Sequence, residues 1–181
     1  MLERQVLDIG TGMGGKYLDQ YKGRNVKIFC LDQNRRVNKA LQQKYPHVVT
    51  ITGSAENIPF PNEYFHQIQT YFPCGELSRY GLSAHRDGLG WFGEFNRALI
   101  KGGVLKIAGD TEGIIDPIKV KEAASLSGFN LVYQRQMSAR ELQLIATYFA
   151  GRNLQEMREF LYNPTRVLLF RKQTSPTLNS G

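Results

Sequence analysis

The sequence predicts an α/β fold: a Rossmann-like, doubly wound and mainly parallel sheet of seven strands with helices on both faces. Short apolar runs alternate with segments of helical pattern, an order typical of parallel strands joined by crossover helices. A glycine-rich segment, LDIGTGMGGKY at residues 7–17, follows the first apolar run. The length of 181 residues fits one domain, which we expect over residues 1–172, followed by a disordered tail at 173–181.

The first half of the chain supplies four of the predicted strands. The first strand, at residues 6–9, leads into the glycine-rich segment, and a short helix at 16–21 ends at Gly23. Apolar runs and turn residues define the remaining elements, which are a buried strand at 26–31, a helix at 34–44 that Pro46 closes, and strands at 48–52 and 64–72.

The second half supplies the other three strands and a longer crossover. Ser138 and Glu141 have the spacing of a capping box, so a helix should begin at Ala139. Trp91 and Phe92 fall on a predicted helix and are interpreted as core residues. The elements in order are a helix at 87–100, a KGG turn, a strand at 104–108, a helix at 117–127, a strand at 129–134, helices at 139–149 and 153–164, and a strand at 166–172.

The composition is that of an ordinary globular protein, with 41% hydrophobic and 22% charged residues. No apolar run approaches the roughly 18 residues of a membrane span. The first predicted strand follows Met1 after four residues, and no secretory signal precedes it. The two cysteines, Cys30 and Cys74, form neither a metal-binding spacing nor a disulfide framework. We therefore expect a cytoplasmic protein with no membrane partner and no metal.

The formal net charge of +7 is unevenly distributed. Between Gln134 and Lys172 there are seven basic and three acidic residues, and six of the seven are arginine, whose planar fork suits phosphate. One interpretation is a surface for a polyanion such as RNA, with a ribosomal subunit as a candidate partner. The other is an ordinary solvated basic surface.

The glycine-rich segment fits three nucleotide-binding patterns. Gly10 to Lys16 match the phosphate-binding G-x-x-x-x-G-K, but Tyr17 stands where that site needs a Ser or Thr hydroxyl for magnesium. The dinucleotide pattern G-x-G-x-x-G is also present, with Asp32 about 20 residues further on to hold ribose hydroxyls. Asp8 disfavours that interpretation, because dinucleotide folds usually have an apolar residue there. Asp32 suits any adenosine-bearing ligand, so it does not distinguish a dinucleotide site from other sites that bind adenosine.

The third pattern, D-x-G-x-G-x-G, begins at Asp8 and resembles the first motif of class I S-adenosylmethionine-dependent methyltransferases. Two later segments extend the resemblance over residues 6–108: GSAENIPFPNEYF at 53–65 resembles their segment after the third strand, and LIKGGVLKIA at 99–108 resembles their turn into the fifth. The resemblance implies S-adenosylmethionine as cofactor. The residues it assigns to the cofactor are Asp8, Gly10, Gly12, Gly14, Asp32, Gln33, Ser54, Ala55, Glu56 and Tyr71.

These residues receive different roles from the resemblance. Asp32 would accept hydrogen bonds from both ribose hydroxyls, and Ser54 would face the adenine edge. Ala55 and Glu56 would frame the adenine ring. Asp8 would orient the loop near the ammonium of the cofactor, with a purely structural staple of the loop as its alternative.

The acceptor is predicted beyond the fourth strand, in TYFPCGELSRYGL at residues 70–82. The local sequence resembles small-subunit ribosomal RNA adenine-N1 methyltransferases of the aminoglycoside-resistance type, which carry A-E-x-L-P-F followed by F-P-W-G. The residues in the second motif here, and our catalytic candidates, are Phe72, Pro73, Cys74 and Gly75. Cys74 replaces the tryptophan that packs on the target base in that family, so the base-stacking role does not carry over.

We therefore predict a methyltransferase that uses S-adenosylmethionine and acts on RNA at a base nitrogen, with ribosomal RNA as a candidate. Two alternatives to an RNA methyltransferase remain open. One is a small-molecule methyltransferase of the kind that uses the same A-E-x-x-P-F segment on quinones or natural products, and its basic surface would be incidental. The other is a non-catalytic protein that binds S-adenosylmethionine. The first predicts a deep apolar acceptor pocket instead of an open basic face.

Overall fold

The computed structural model describes residues 3–12, 16–71, 90–110, 117–146 and 165–174. They form a seven-stranded, mostly parallel sheet with helices on both faces, which confirms the predicted fold class. The elements are β1 (Arg4–Ile9), a 3₁₀ helix (Lys16–Tyr21), β2 (Val26–Asp32), α1 (Arg35–Lys44), β3 (Val49–Thr52), β4 (Phe65–Tyr71), α2 (Gly90–Ala98), β5 (Leu99–Asp110), α3 (Pro117–Leu126), β6 (Phe129–Gln136), α4 (Ala139–Ala146) and β7 (Thr165–Lys172).

The strand order is β3-β2-β1-β4-β5-β7-β6. The strands from β3 to β5 are parallel, and β7 runs antiparallel to both β5 and β6. The chain moves outward from β1 to β3 and then returns to pair β4 on the other side of β1. The direction of winding therefore reverses between β1 and β4, and in open α/β sheets such a point opens a crevice beyond the carboxyl ends of the strands.

Each face of the sheet buries its own apolar cluster. On one face, Leu7 and Ile9 of β1 pack with side chains from α2 and α3. The interpretation of Trp91 and Phe92 as core residues is confirmed, since they are only 8% and 0% exposed. On the other face, Val6 of β1 packs with side chains of the 3₁₀ helix and α1. Alternate side chains of one strand thus serve both layers.

Side-chain caps begin two of the helices. The Asn34 side chain accepts hydrogen bonds from the Arg36 and Val37 amides at the start of α1. At α4, the Ser138 amide donates to Glu141 Oε2 over 2.9 Å, and the Glu141 amide donates to Ser138 Oγ over 3.3 Å. The predicted capping box is therefore present. The predicted helix at 153–164 and the tail from 175 onward lie outside the described residues.

The start of β5 differs from the prediction. The helix expected to extend to residue 100 ends at Ala98, and Leu99 already pairs with Phe65 of β4. The KGG segment lies inside β5 as an irregularity of the strand, since the next paired residue on β5 is Val104. Gly102 has a φ of 71°, in the left-handed region that favours glycine.

Replacing Gly103 by alanine should destabilise the fold by roughly 1–3 kcal/mol, because the added methyl group would lie 2.8 Å from the Ile100 carbonyl oxygen. Gly93→Ala is the matched control: its added methyl meets nothing within 4 Å, and alanine favours the helix it lies on. Urea unfolding of both variants measures the effect. Equal stability of Gly103→Ala and the wild type would contradict the close approach.

Candidate active site

The crevice between β1 and β4 brings together the ends of four strands. Ile9, the last residue of β1, pairs with Leu31 on one side and with Thr70 on the other. Asp32 pairs with Thr52 at the end of β3. The loop after β1, the Asp32–Gln33 segment, the turn at Ser54 and the end of β4 consequently meet at one edge of the sheet.

Asp32 anchors the glycine loop. Its Oδ2 accepts a hydrogen bond from the Gly12 amide over 3.0 Å, and its Oδ1 accepts one from the Asn34 amide over 2.8 Å. Gly10 and Gly12 have φ values of 67° and 54°, and the space beside Gly10 is open where a side chain would stand. A ligand can therefore approach the loop backbone closely. Gly14 lies outside the described residues.

Gln33 and Ser54 lie next to each other on the β2–β3 side of the crevice. The Gln33 amide Nε2 donates to Ser54 Oγ over 3.3 Å, and that hydroxyl also accepts from the Glu56 amide over 3.2 Å. The turn closes through a bridge between Ser54 and Asn57. Ala55 is buried in the core, whereas Glu56 is exposed. This turn offers polar side chains and backbone atoms at the crevice rim.

Asp8 lies beneath the loop with no exposed surface. The Tyr17 hydroxyl donates to its Oδ2 over 2.6 Å, and the Thr11 hydroxyl donates to its backbone carbonyl over 3.0 Å. Burial raises the pKa of Asp8 to about 7, although Tyr17 and Lys106 oppose the shift. These contacts are those expected if Asp8 has a purely structural role and holds the loop after β1. The contact of Asp8 with a cofactor stays a prediction.

A polar network that the sequence did not predict extends from Tyr17 across the sheet. The rings of Tyr17 and Tyr71 lie 4.8 Å apart between centroids, and the Lys106 ammonium donates to the Tyr71 hydroxyl over 2.9 Å. Burial lowers the pKa of Lys106, while Glu141, 3.9 Å away, opposes that shift. Arg135 binds the Glu141 carboxylate through two bonds of 2.7 Å. The one sequence signal was a charged Lys106 within the otherwise apolar run at residues 104–108.

The remaining candidates can be placed only in part. Tyr71 ends β4 and is 9% exposed. Phe72, Pro73, Cys74 and Gly75, the predicted acceptor mouth, lie outside the described residues. Within the described ranges, no cluster of three or more His, Cys, Asp and Glu side chains could hold a metal ion. No helix in those ranges is both long and apolar enough to span a bilayer.

The sequence match to a known family includes the crevice. Residues 7–107, from the end of β1 to β5, match the pattern of a family described as a methyltransferase domain. The chain belongs to this family. The match covers the glycine loop, Asp32 and the turn at Ser54. The cofactor of this methyltransferase is S-adenosylmethionine.

Curated relatives of the methyltransferase include two demethylmenaquinone methyltransferases. The protein of Chlorobaculum tepidum is 28% identical over 105 residues, which are 58% of this chain and 40% of that protein. The protein of Chlorobaculum parvum gives the same identity and coverage. The aligned region is therefore less than half the length of these relatives.

Solved structures share the fold across nearly the whole chain. An S-adenosylmethionine-dependent methyltransferase from Mesorhizobium loti has a TM-score of 0.63 at 12% identity, covering 95% of this chain and 93% of the other. Phosphoethanolamine N-methyltransferase 2 of Haemonchus contortus, in complex with S-adenosyl-L-methionine, has a TM-score of 0.64 at 15% identity, covering 94% of this chain and 49% of the other. At such identities the likeness concerns the fold alone.

The residues at the crevice fit S-adenosylmethionine chemically. The cofactor has no pyrophosphate, so it needs close backbone approach and hydroxyl acceptors more than an anion-binding helix end. Asp32 provides a carboxylate in which each oxygen accepts one amide hydrogen bond and keeps capacity for another. The open space beside Gly10 allows close approach to the loop.

Proposed function

We propose that this methyltransferase transfers a methyl group from S-adenosylmethionine to a small apolar ring compound of the quinone class. The observation that carries this proposal is the 28% identity over 105 residues with a protein named for demethylmenaquinone. This chain also carries the A-E-x-x-P-F residues, Ala55 to Phe60, a segment that resembles the one used by methyltransferases acting on quinones or natural products.

The cofactor roles in this proposal follow the geometry of the crevice. Asp32 accepts hydrogen bonds from both ribose hydroxyls with the capacity that its two amide donors leave. Gln33, Ser54 and Glu56 line the adenine side. Gly10, Gly12 and Gly14 allow the methionine portion to approach the backbone. Asp8, through Tyr17, fixes the strand end from which the loop departs.

The chemical demand on the protein is to position the acceptor and to let one proton leave to solvent, because the ring carbon or hydroxyl of a reduced quinone that gains the methyl group loses its proton. When bound, the cofactor supplies an activated methyl group on its sulfonium, so the chain must hold the acceptor in line and exclude water. We assign Phe72, Pro73, Cys74 and Gly75 to the acceptor mouth, next to Tyr71. Tyr71 is held in place by Lys106 on one side and by the Tyr17 ring on the other.

An RNA acceptor receives less support from the basic residues that the structure describes in β6 and β7. Arg135 is engaged by Glu141 in a paired hydrogen bond, and the Lys172 ammonium binds the carbonyls of Asn96 and Leu99. Arg166 and Arg171 are five residues apart on β7, so they point to opposite faces about 16 Å apart along the strand. These residues do not form one phosphate-binding surface.

The test is transfer of labelled methyl from S-adenosylmethionine into fractions of a cell extract and into a reduced naphthoquinone as the defined probe. We expect label in the organic-soluble fraction and in the probe, resistant to nuclease and absent with Asp32→Ala protein. Label confined to a nuclease-sensitive fraction would overturn the quinone-class acceptor in favour of RNA or DNA. Absence of transfer to any fraction would favour a binding protein without catalysis.

A further inference from the structure

The loop after β3, residues 53–62, is held by two side chains of α2. The Ile58 amide donates to Glu94 Oε2 over 2.9 Å, and Arg97 Nη2 donates to the Ile58 carbonyl over 2.9 Å. Arg97 Nη1 reaches further along the loop, to the Phe60 carbonyl over 2.9 Å and to Asn62 Oδ1 over 3.0 Å. One guanidinium therefore binds the loop at three points.

Glu94 and Arg97 also bind each other with paired geometry. Arg97 Nε lies 2.8 Å from Glu94 Oε1, and Arg97 Nη2 lies 2.8 Å from Glu94 Oε2. Hydrogen bonding from Arg97 lowers the pKa of Glu94, and that from Glu94 raises the pKa of Arg97. Each residue thus fixes the other on the helix surface, one turn apart.

This pair is one of the contacts that hold the far end of the loop, together with the buried Ile58 side chain. At the near end, the Gly53 amide donates to the Asp32 carbonyl over 3.2 Å. The Ser54–Asn57 turn follows, and Ile58, held by Glu94 and Arg97, comes directly after it. The turn is therefore bounded by the Asp32 contact on one side and by the ion pair of α2 on the other, with Ala55 buried in the core between them.

We propose that Glu94 and Arg97 are positioning residues that set the Ser54–Asn57 turn for recognition of the adenine base. This inference rests on the proposed cofactor site, in which Ser54 and Glu56 face adenine. Neither α2 side chain needs to touch the cofactor. Their effect is transmitted through the Ile58 backbone, four residues beyond Ser54.

The expected result is a change in cofactor affinity and base preference without loss of catalysis at saturation. Arg97→Gln should raise the Kd for S-adenosylhomocysteine roughly tenfold, the effect of losing one or two hydrogen bonds. It should also reduce the preference for adenine over hypoxanthine, measured with the inosine counterpart of the same compound. The kcat with saturating S-adenosylmethionine and reduced naphthoquinone should change less than about twofold.

Calorimetric titration compares the wild type, Arg97→Gln, Arg97→Lys and the exposed-surface control Arg24→Gln. Lysine keeps the charge but cannot bridge the carbonyls with a planar fork, so its Kd should lie between those of the wild type and Arg97→Gln. It also serves as the milder variant if Arg97→Gln fails to fold. Arg24→Gln should match the wild type.

Three outcomes distinguish failure of this inference from failure of the cofactor site. If the wild type binds S-adenosylhomocysteine and both Arg97 variants keep its Kd and its base preference, the positioning role is overturned alone. If the wild type does not bind, the cofactor site and the inference fall together. A variant with reduced thermal stability but unchanged base preference identifies the pair as structural only, which also overturns the inference.

Discussion

Asp32→Ala is expected to weaken binding of S-adenosylmethionine by about a hundredfold or more, roughly 3 kcal/mol. The variant loses the carboxylate that holds the Gly12 amide and the Asn34 amide. In the proposed site it also loses both acceptors for the ribose hydroxyls, and hydrogen bonds to a charged group are among the stronger ones. Asp32→Asn, which keeps one acceptor oxygen, should give an intermediate Kd.

Equilibrium titration of the purified variants measures this effect. Asp19→Ala is the matched control, since Asp19 is exposed on the 3₁₀ helix and should leave the Kd unchanged. Thermal unfolding of each variant separates lost binding from lost folding. A Kd for Asp32→Ala within about threefold of the wild type would remove Asp32 from the cofactor site.

Asp8→Asn is expected to change how the free energy of unfolding depends on pH. Burial raises the folded-state pKa of Asp8 from 3.8 to about 7. The folded protein therefore holds this proton more tightly than the unfolded chain does. Between about pH 4 and pH 7 the unfolded chain releases the proton first, so the contribution of Asp8 to stability is present at low pH and is lost as the pH rises.

The shift corresponds to roughly 4 kcal/mol across that window. Asparagine does not titrate, so the stability of Asp8→Asn relative to the wild type should increase by up to about that amount between pH 4 and pH 7. Denaturant unfolding at several pH values measures the difference, and groups common to both proteins largely cancel. Asp19→Asn provides the exposed control. Parallel stability curves for Asp8→Asn and the wild type would mean that Asp8 has an ordinary pKa.

Most of the fold could be predicted because its signals are local. Apolar runs ended by Asp32 or by a glycine define the strands, and Ser138 with Glu141 defines the start of α4. The start of β5 could not be predicted, because the KGG sequence is typical of a turn. Pairing of Leu99 with Phe65 extends the strand across it, and that pairing depends on residues distant in sequence.

Some residues of the candidate site could likewise be predicted from the sequence, whereas the roles of others could not. Asp32, Gln33 and Ser54 were predicted from motif resemblance, and the structure brings Gln33 and Ser54 together. The roles of Lys106 and Arg97 could not be predicted. Each depends on a partner 35 or more residues away, Tyr71 for Lys106 and the Ile58 and Phe60 carbonyls for Arg97. Only the folded sheet shows which side chains and carbonyls lie opposite them.

The position of β7 determines when the sheet can be completed during synthesis. β7 is the last of the seven strands in the chain but lies between β5 and β6, antiparallel to both. Until residues 165–172 have left the ribosome, β5 has no neighbour on that side and β6 has no strand to pair with. The final residue of β7, Lys172, then binds the Asn96 carbonyl at the end of α2 and the Leu99 carbonyl at the start of β5. The nascent chain therefore carries an open sheet edge from the synthesis of β5 until that of β7, a period when chaperone contact and misassembly compete with folding.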